Sequence, residues 1–195
     1  FYSSAYQGLS SLNVTMTAVT AGPGTNTYYW WDFNYNGSFM VPDVQGAAMQ
    51  SATYNYTQPG YYSVALEVED EFGSKATTVK PNYIYVGPAD LYVSPDGSHE
   101  PLFITWGTAA NDIQSALDLA LDGARVWVSN GVYVVNRELA VSRGVNLRSV
   151  NGYPVTSITR TGGITRLMTM VHTNAVVDGF TFSNGFLNAA WPLDR

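Results

Sequence analysis

Apolar and polar positions alternate along most of this chain with the two-residue period of strands. Leu12, Val14, Met16 and Ala18 fall on one face and Asn13, Thr15, Thr17 and Val19 on the other, which predicts a half-buried strand. Tyr28 to Phe33 repeats the pattern, with Tyr29, Trp31 and Phe33 opposite Tyr28, Trp30 and Asp32. The clearest alternation sets Tyr62, Val64, Leu66 and Val68 against Tyr61, Ser63, Ala65 and Glu67. A further strand runs through Ala76, Thr78 and Ile84 to Val86. Turns are predicted at Gly22-Pro23-Gly24, Asn34 to Ser38, Gln58-Pro59-Gly60 and the acidic bend Glu69-Asp70-Glu71. Several short antiparallel strands within residues 1–87 predict a two-sheet sandwich.

After Gly87-Pro88 a second region, 88–195, opens on Leu91-Tyr92-Val93 with almost no linker. Here the period changes once. Ile113, Ala116, Leu117, Ala120 and Leu121 form a helical stripe over about 111–121. Thr108 or Asn111 can cap its start, Asp112 suits the positive end, and Gly123 lies past its end. From Arg125 to Gly185 short apolar runs return: Val126 to Val128, Val132 to Val135, Val145 to Val150, Ser157 to Thr159, Leu167 to Val171 and Val176 to Phe182. Asn130-Gly131, Asn151-Gly152, Gly162-Gly163 and Asn184-Gly185 punctuate them. Leu147, Ile158, Met168 and Phe180 recur at intervals of about ten to twelve residues, as in a sandwich or a solenoid. The helix in front favours the solenoid, whose first coil needs a lid over its core. The fold class expected is mainly β: a two-sheet sandwich, then a short solenoid with an α-helical cap and coils over 125–185.

Composition supports strands and turns: 14 Tyr and 18 Gly among 195 residues, with 46% hydrophobic and only 12% charged. A net charge of -6 without a basic cluster argues against nucleic acid. With no Cys there is no disulfide framework or thiolate metal site. No apolar run reaches the roughly 20 residues of a membrane-spanning helix. A start at Phe1 rather than Met reads as a processed product or a piece of a longer protein.

Two family resemblances follow. Trp31-Asp32-Phe33 with Asn36-Gly37, and Tyr54-Asn55-Tyr56-Thr57-Gln58-Pro59-Gly60-Tyr61-Tyr62-Ser63-Val64, resemble the signatures of PKD domains, Ig-like sandwiches of extracellular and cell-surface proteins. Where that family carries a Gly-Asp-Gly turn, this chain has Asn34-Tyr35-Asn36-Gly37, so no specific motif supports calcium and no cofactor is expected. Tyr92 to Gly97, Trp106, Ala109-Ala110, Ile113 to Ala116, Gly131-Val132-Tyr133, Gly144 to Gly152 and Val177 to Gly185 resemble the start of a right-handed parallel β-helix of the pectin-lyase type. That resemblance implies lyase or hydrolase chemistry on acidic polysaccharides.

The residues themselves offer no catalytic constellation. A hydrolase needs two carboxyls about 5 to 9.5 Å apart, and a lyase a base with a group that neutralises the uronate. Lys is absent after Lys80, and the ladder's acids are Glu138 and Asp178, the latter in a turn element. Arg143, Arg148, Arg160 and Arg166 are expected as outer-face charge; His99 and His172 have no evident partner. Contact residues for carbohydrate or a protein partner are Tyr28, Trp30 and Tyr61, on outward faces of the sandwich, with Arg148 and Arg166 on the ladder. Asn13, Asn36 and Asn55 head N-glycosylation triplets.

The function expected is a non-enzymatic extracellular or cell-surface structural or adhesion module, in contact with polysaccharide or another surface protein. If Arg195 is the natural end, the last coil leaves an open edge that invites head-to-tail self-association into a filament. The alternative is the N-terminal part of a polysaccharide lyase or glycoside hydrolase. Further coils carrying reactive groups beyond Arg195 would favour it.

Overall fold

The computed structural model describes residues 1–20, 25–38, 40–162 and 166–185. The turn expected at Gly22-Pro23-Gly24, Gly163 of the glycine pair and the segment after Gly185 lie outside them. The chain divides into two compact units, Phe1–Gly87 and Pro88–Arg195.

The first unit contains β1 (Tyr2–Ser3), β2 (Gln7–Leu9), β3 (Leu12–Thr17), β4 (Asn26–Asp32), β5 (Val44–Gly46), β6 (Ser51–Tyr56), β7 (Gly60–Asp70) and β8 (Lys75–Gly87). They form two sheets, β1-β3-β6 and β2-β8-β7-β4-β5. Alternation explains the packing. Val14, Met16, Ala52 and Tyr56 point inward from the smaller sheet, and Tyr29, Trp31, Val64, Leu66, Ile84 and Val86 from the larger, into one core. Trp31 is fully buried and its Nε1–H donates to the Met49 carbonyl at 2.8 Å. The Tyr56 hydroxyl donates to the Phe33 carbonyl at 3.0 Å. Each large aromatic thus buries its ring and still satisfies its polar tip.

The turn after β4 is held by acids. Asp32, only 4% exposed, accepts from the Asn34 and Val41 amides at 3.1 and 3.0 Å, and Asp43 accepts from Phe33 N–H at 2.8 Å. These carboxylates satisfy backbone donors that a tight turn would otherwise leave unpaired.

The second unit contains β9 (Asp90–Val93), α1 (Ile113–Leu119), β10 (Arg125–Val128), β11 (Gly131–Val135), β12 (Leu139–Val141), β13 (Asn146–Ser149), β14 (Thr156–Arg160), β15 (Met168–Met170), β16 (Val176–Asp178) and β17 (Thr181–Ser183). Every strand pair here is parallel and in register. Three ladders result, ordered β9-β10-β13-β16, β11-β14-β17 and β12-β15. Leu91, Val126, Leu147 and Val177 stack in one column, and Tyr133, Ile158 and Phe182 in another; both are buried except at their last members, where Val177 is half-buried and Phe182 exposed. Identical register at each step carries like side chains onto like neighbours.

Several sequence expectations need correction. The helix is shorter than the stripe, Ile113–Leu119 rather than about 111–121. Its N-cap is Asp112, whose carboxylate accepts from Ser115 N–H, and not Thr108 or Asn111. Asn111 instead donates its side-chain amide to the carbonyls of Ser94, Pro95 and Gly97. Val176 to Phe182 is two strands, because Gly179 adopts φ +81 and turns the chain between them. Arg143 and Arg160 are not outer-face charges. Arg143 donates to the Asp118 and Ala120 carbonyls at the end of α1. Arg160, 8% exposed, donates to the carbonyls of Gly162, Arg166 and Asn136.

Candidate functional site

Outward positions of each unit carry aromatic side chains that the core does not use. In the first unit they lie on the five-stranded sheet. β4 presents Tyr28 and Trp30, whose rings meet at 4.5 Å. β8 brings Lys75 to the same place, its Nζ 3.9 Å from the centre of the Trp30 ring. Lys75 is held by Glu67 at 2.8 Å and Glu69 at 3.7 Å, so the hydrogen bond to Glu67 above all raises its pKa. The ammonium therefore covers part of the indole that sequence alone suggests is open. Tyr61, 54% exposed, stacks on Tyr85 at 4.6 Å across the β7–β8 ladder. The structure brings Tyr28 and Trp30 together and pairs Tyr61 with a different ring.

In the second unit the outward column of the first ladder runs Tyr92, Trp127, Arg148, Asp178, one residue per strand. Trp106, 43% exposed, packs edge-on against Tyr92 at 4.7 Å. The neighbouring outward column begins Asp90, Arg125, Asn146. Asp90 ties the two columns together: it accepts from Arg125 at 2.6 Å and from Trp127 Nε1–H at 2.8 Å. Partial burial pushes the Asp90 carboxyl up, but the Arg125 and Trp127 hydrogen bonds outweigh it and hold the group below its ordinary value. The indole is thereby held to a carboxylate by its N–H edge. Three rings, two guanidinium groups and Asp178 form one continuous outward surface, carried on strands about 4.8 Å apart.

Arg166 is not part of this surface. It is exposed, and its Nε lies 3.7 Å from Glu138 Oε1, an oxygen buried without a hydrogen-bond partner among the described residues. The two histidines have structural partners. His99 Nδ1 accepts from Asn111 N–H at 3.0 Å, and His172 Nδ1 from Asn174 N–H at 3.2 Å. Among the described residues no group of three or more His, Cys, Asp or Glu is placed to hold a metal ion. Asn13, Asn36 and Asn55 are all exposed. Asn13 and Asn55 sit directly opposite one another on β3 and β6, and Asn55 accepts from Ser11 Oγ at 2.5 Å.

Sequence reasoning missed Tyr92, Trp106, Trp127 and the Asp90–Arg125 pair. Their signal is present: an aromatic or charged residue at every second position of Asp90-Leu91-Tyr92 and Arg125-Val126-Trp127. It becomes legible only once both strands are known to share a register.

The first unit is thus a β-sandwich of two sheets on a shared core, and its residues 7–81 match the PKD domain. A PKD domain therefore occupies the first part of the chain, within a molecule that is mainly β. Among solved structures, one from a study of the promiscuous specificity of carbohydrate-binding modules of the β-sandwich superfamily is 30% identical. The match covers 47% of this chain and 34% of that one, with a TM-score of 0.37. A family 28 exopolygalacturonase of Yersinia enterocolitica is 14% identical over 88% of this chain and 36% of its own, with a TM-score of 0.29. This chain spans little more than a third of either. No curated protein matches it.

Proposed function

We propose that the chain is an extracellular polysaccharide-contact module, in which a PKD sandwich precedes the capped beginning of a right-handed parallel β-helix. In-register parallel ladders repeated around the second unit support the β-helix, and right-handed crossover is the near-universal rule for such connections. α1 serves as the lid: Ile113, Ala116 and Leu117 are buried beneath it, as a solenoid terminus requires. The PKD match supports an extracellular setting, where such domains are found.

The observation that carries the contact function is the outward column Tyr92–Trp127–Arg148–Asp178 with Trp106 beside it. Sugar rings present C–H faces that stack on aromatic side chains, and hydroxyls that bond to charged ones. Two rings followed by two charges along one ladder suit an extended glycan lying across the strands. The carboxylate at the aromatic end is committed to Arg125 and Trp127, which suits orientation of a ligand rather than proton transfer.

The test is retention on immobilised polysaccharides, polygalacturonate and neutral glycans in parallel, together with tryptophan fluorescence titration. Trp127→Ala or Trp106→Ala is expected to weaken binding about tenfold or more, each ring supplying about 1.4 kcal/mol. Trp30→Ala, on the other unit, should leave binding unchanged. Wild-type protein that ignores every polysaccharide sinks the reading. Loss of binding in Trp30→Ala alone would move the site to the sandwich.

A further inference from the structure

Each parallel ladder of the second unit has a first strand with one edge turned toward the capping segment. Backbone direction at those edges follows from alternation, since in a parallel ladder successive residues bond to opposite sides. In β9 the edge is closed by the chain itself: Tyr92 N–H donates to the Phe103 carbonyl, Ala110 N–H to the Tyr92 carbonyl, and Ser94 N–H to the Ala110 carbonyl, at 2.8 to 2.9 Å. In β12 a side chain closes it. Gln114, 7% exposed, accepts from Ala140 N–H at 2.8 Å and donates to the Ala140 carbonyl at 3.3 Å, standing in for a strand.

β11 differs. Gly131 N–H donates to the Val155 carbonyl, so Gly131, Tyr133 and Val135 bond toward β14, and the N–H and C=O groups of Val132 and Val134 point the other way. Among the described residues nothing bonds to that edge. It opens on a cleft of about 610 Å³, between β11 and the segment Asn111–Ser115 at the start of α1, with Pro95 at one end and Arg137 at the other. The Val132 and Val134 side chains beside it are 64% and 55% exposed, while Tyr133 between them is buried.

We propose that this cleft binds a short extended peptide, which adds to β11 as a further strand. Four backbone groups at two-residue spacing present the donor and acceptor pattern of a strand edge, and a peptide backbone matches it group for group. The volume lies in the range of clefts that take a small ligand or a few residues, about 300–1,000 Å³, and is too small for a whole coil of another copy. Two exposed β-branched side chains on one face favour a peptide with β-branched residues at alternate positions, which would pack beside them. Two of the three edges are closed by this chain, so the third is a site rather than a general property of the fold.

The test uses the full chain and the capped peptide Lys-Val-Thr-Val-Thr-Val-Lys, followed by amide NMR with hydrogen exchange. In the free protein the Val132 and Val134 amides should exchange much faster than that of Tyr133. On titration their resonances should shift and their exchange slow. Methylating alternate backbone nitrogens of the peptide should abolish binding, and a scrambled N-methylated control excludes mere stickiness. Val134→Pro removes an edge donor that β14 does not use, a position where proline is tolerated. It should weaken binding about tenfold or more with an unchanged melting temperature. The proposal is overturned if millimolar peptide leaves both amides unmoved, or if they are already as protected as Tyr133. It is equally overturned if concentration-dependent self-association, abolished by Val134→Pro, shows a second copy to be the occupant. Glycan binding through Trp127 is read separately and stands or falls on its own.

Discussion

Tyr56 illustrates how one residue joins packing to polarity in the sandwich. Its ring is buried in the core and its hydroxyl donates to the Phe33 carbonyl. Burial first, then the neighbouring Tyr54 and Asp43, push its ionisation well above the ordinary value of 10.0. The folded state therefore holds this proton more tightly than the unfolded chain does. That contribution to stability is fully present below pH 10 and is lost as pH rises further, by about 1.4 kcal/mol per pH unit. Tyr56→Phe should cost about 1 kcal/mol at neutral pH through the lost hydrogen bond. Above pH 10 the gap to wild type should narrow, as urea unfolding at several pH values will measure. A gap that stays constant to pH 11.5 would contradict the assignment.

At the scale of elements, Gln114 does the work of a strand. Its amide meets both backbone groups of Ala140 and also donates to Asp118 at 2.7 Å, locking α1 to the third ladder. Gln114→Leu keeps the size and apolar fit but leaves the Ala140 N–H and C=O without a partner. The expected cost is about 1–3 kcal/mol, with faster hydrogen exchange at Ala140 and unchanged exchange at Leu147. Exchange at Ala140 that does not change would refute the bridging role. Much of this architecture is legible in the residues. Alternation of Tyr62 to Val68 and the lone helical stripe at Ile113 to Leu121 predict element types correctly, because each reflects one face in contact with a core. Contacts between strands distant in sequence are what escape it. Nothing local to Tyr92 and Trp127 says that they are neighbours, and nothing in the Trp30 strand says that Lys75 covers its ring. The helix start is misjudged because Asn111 and Asp112 are both good caps, and loop carbonyls at Ser94, Pro95 and Gly97 claim Asn111. The arginines are misjudged because a buried guanidinium can be satisfied by carbonyls that sequence does not reveal.

For the molecule as a whole, the unit boundary carries a consequence for where it can be cut. The PKD match stops at residue 81, but β8 continues to Gly87. Ile84 and Val86 are fully buried in the sandwich core, and Gly87 accepts from Ser10 N–H at 3.1 Å. Burying each such side chain contributes about 1.5–3 kcal/mol, against a typical domain stability of about 5–15 kcal/mol. A fragment of residues 1–87 is expected to melt cooperatively with ordered tryptophan signals in near-ultraviolet circular dichroism. A fragment of residues 1–81 should not. Equal behaviour of the two would mean that the C-terminal end of β8 is dispensable to the sandwich.

The Asn-Gly pairs bear on how the protein ages. Deamidation begins when the nitrogen of the following glycine attacks the asparagine side-chain carbonyl, expels ammonia and closes a succinimide, which opens to aspartate or isoaspartate. At Asn130 and Asn151 that nitrogen is already engaged: Gly131 N–H donates to the Val155 carbonyl and Gly152 N–H to Ser149 Oγ, both at 3.0 Å. The two side chains are further joined to each other at 2.9 Å. Asn36 lies in an exposed turn before Gly37, outside any ladder. Storage should therefore convert Asn36 well before Asn130 and Asn151. The change adds a negative charge to the sandwich and erases one glycosylation triplet, while Asn130 and Asn151 in the second unit keep their amides.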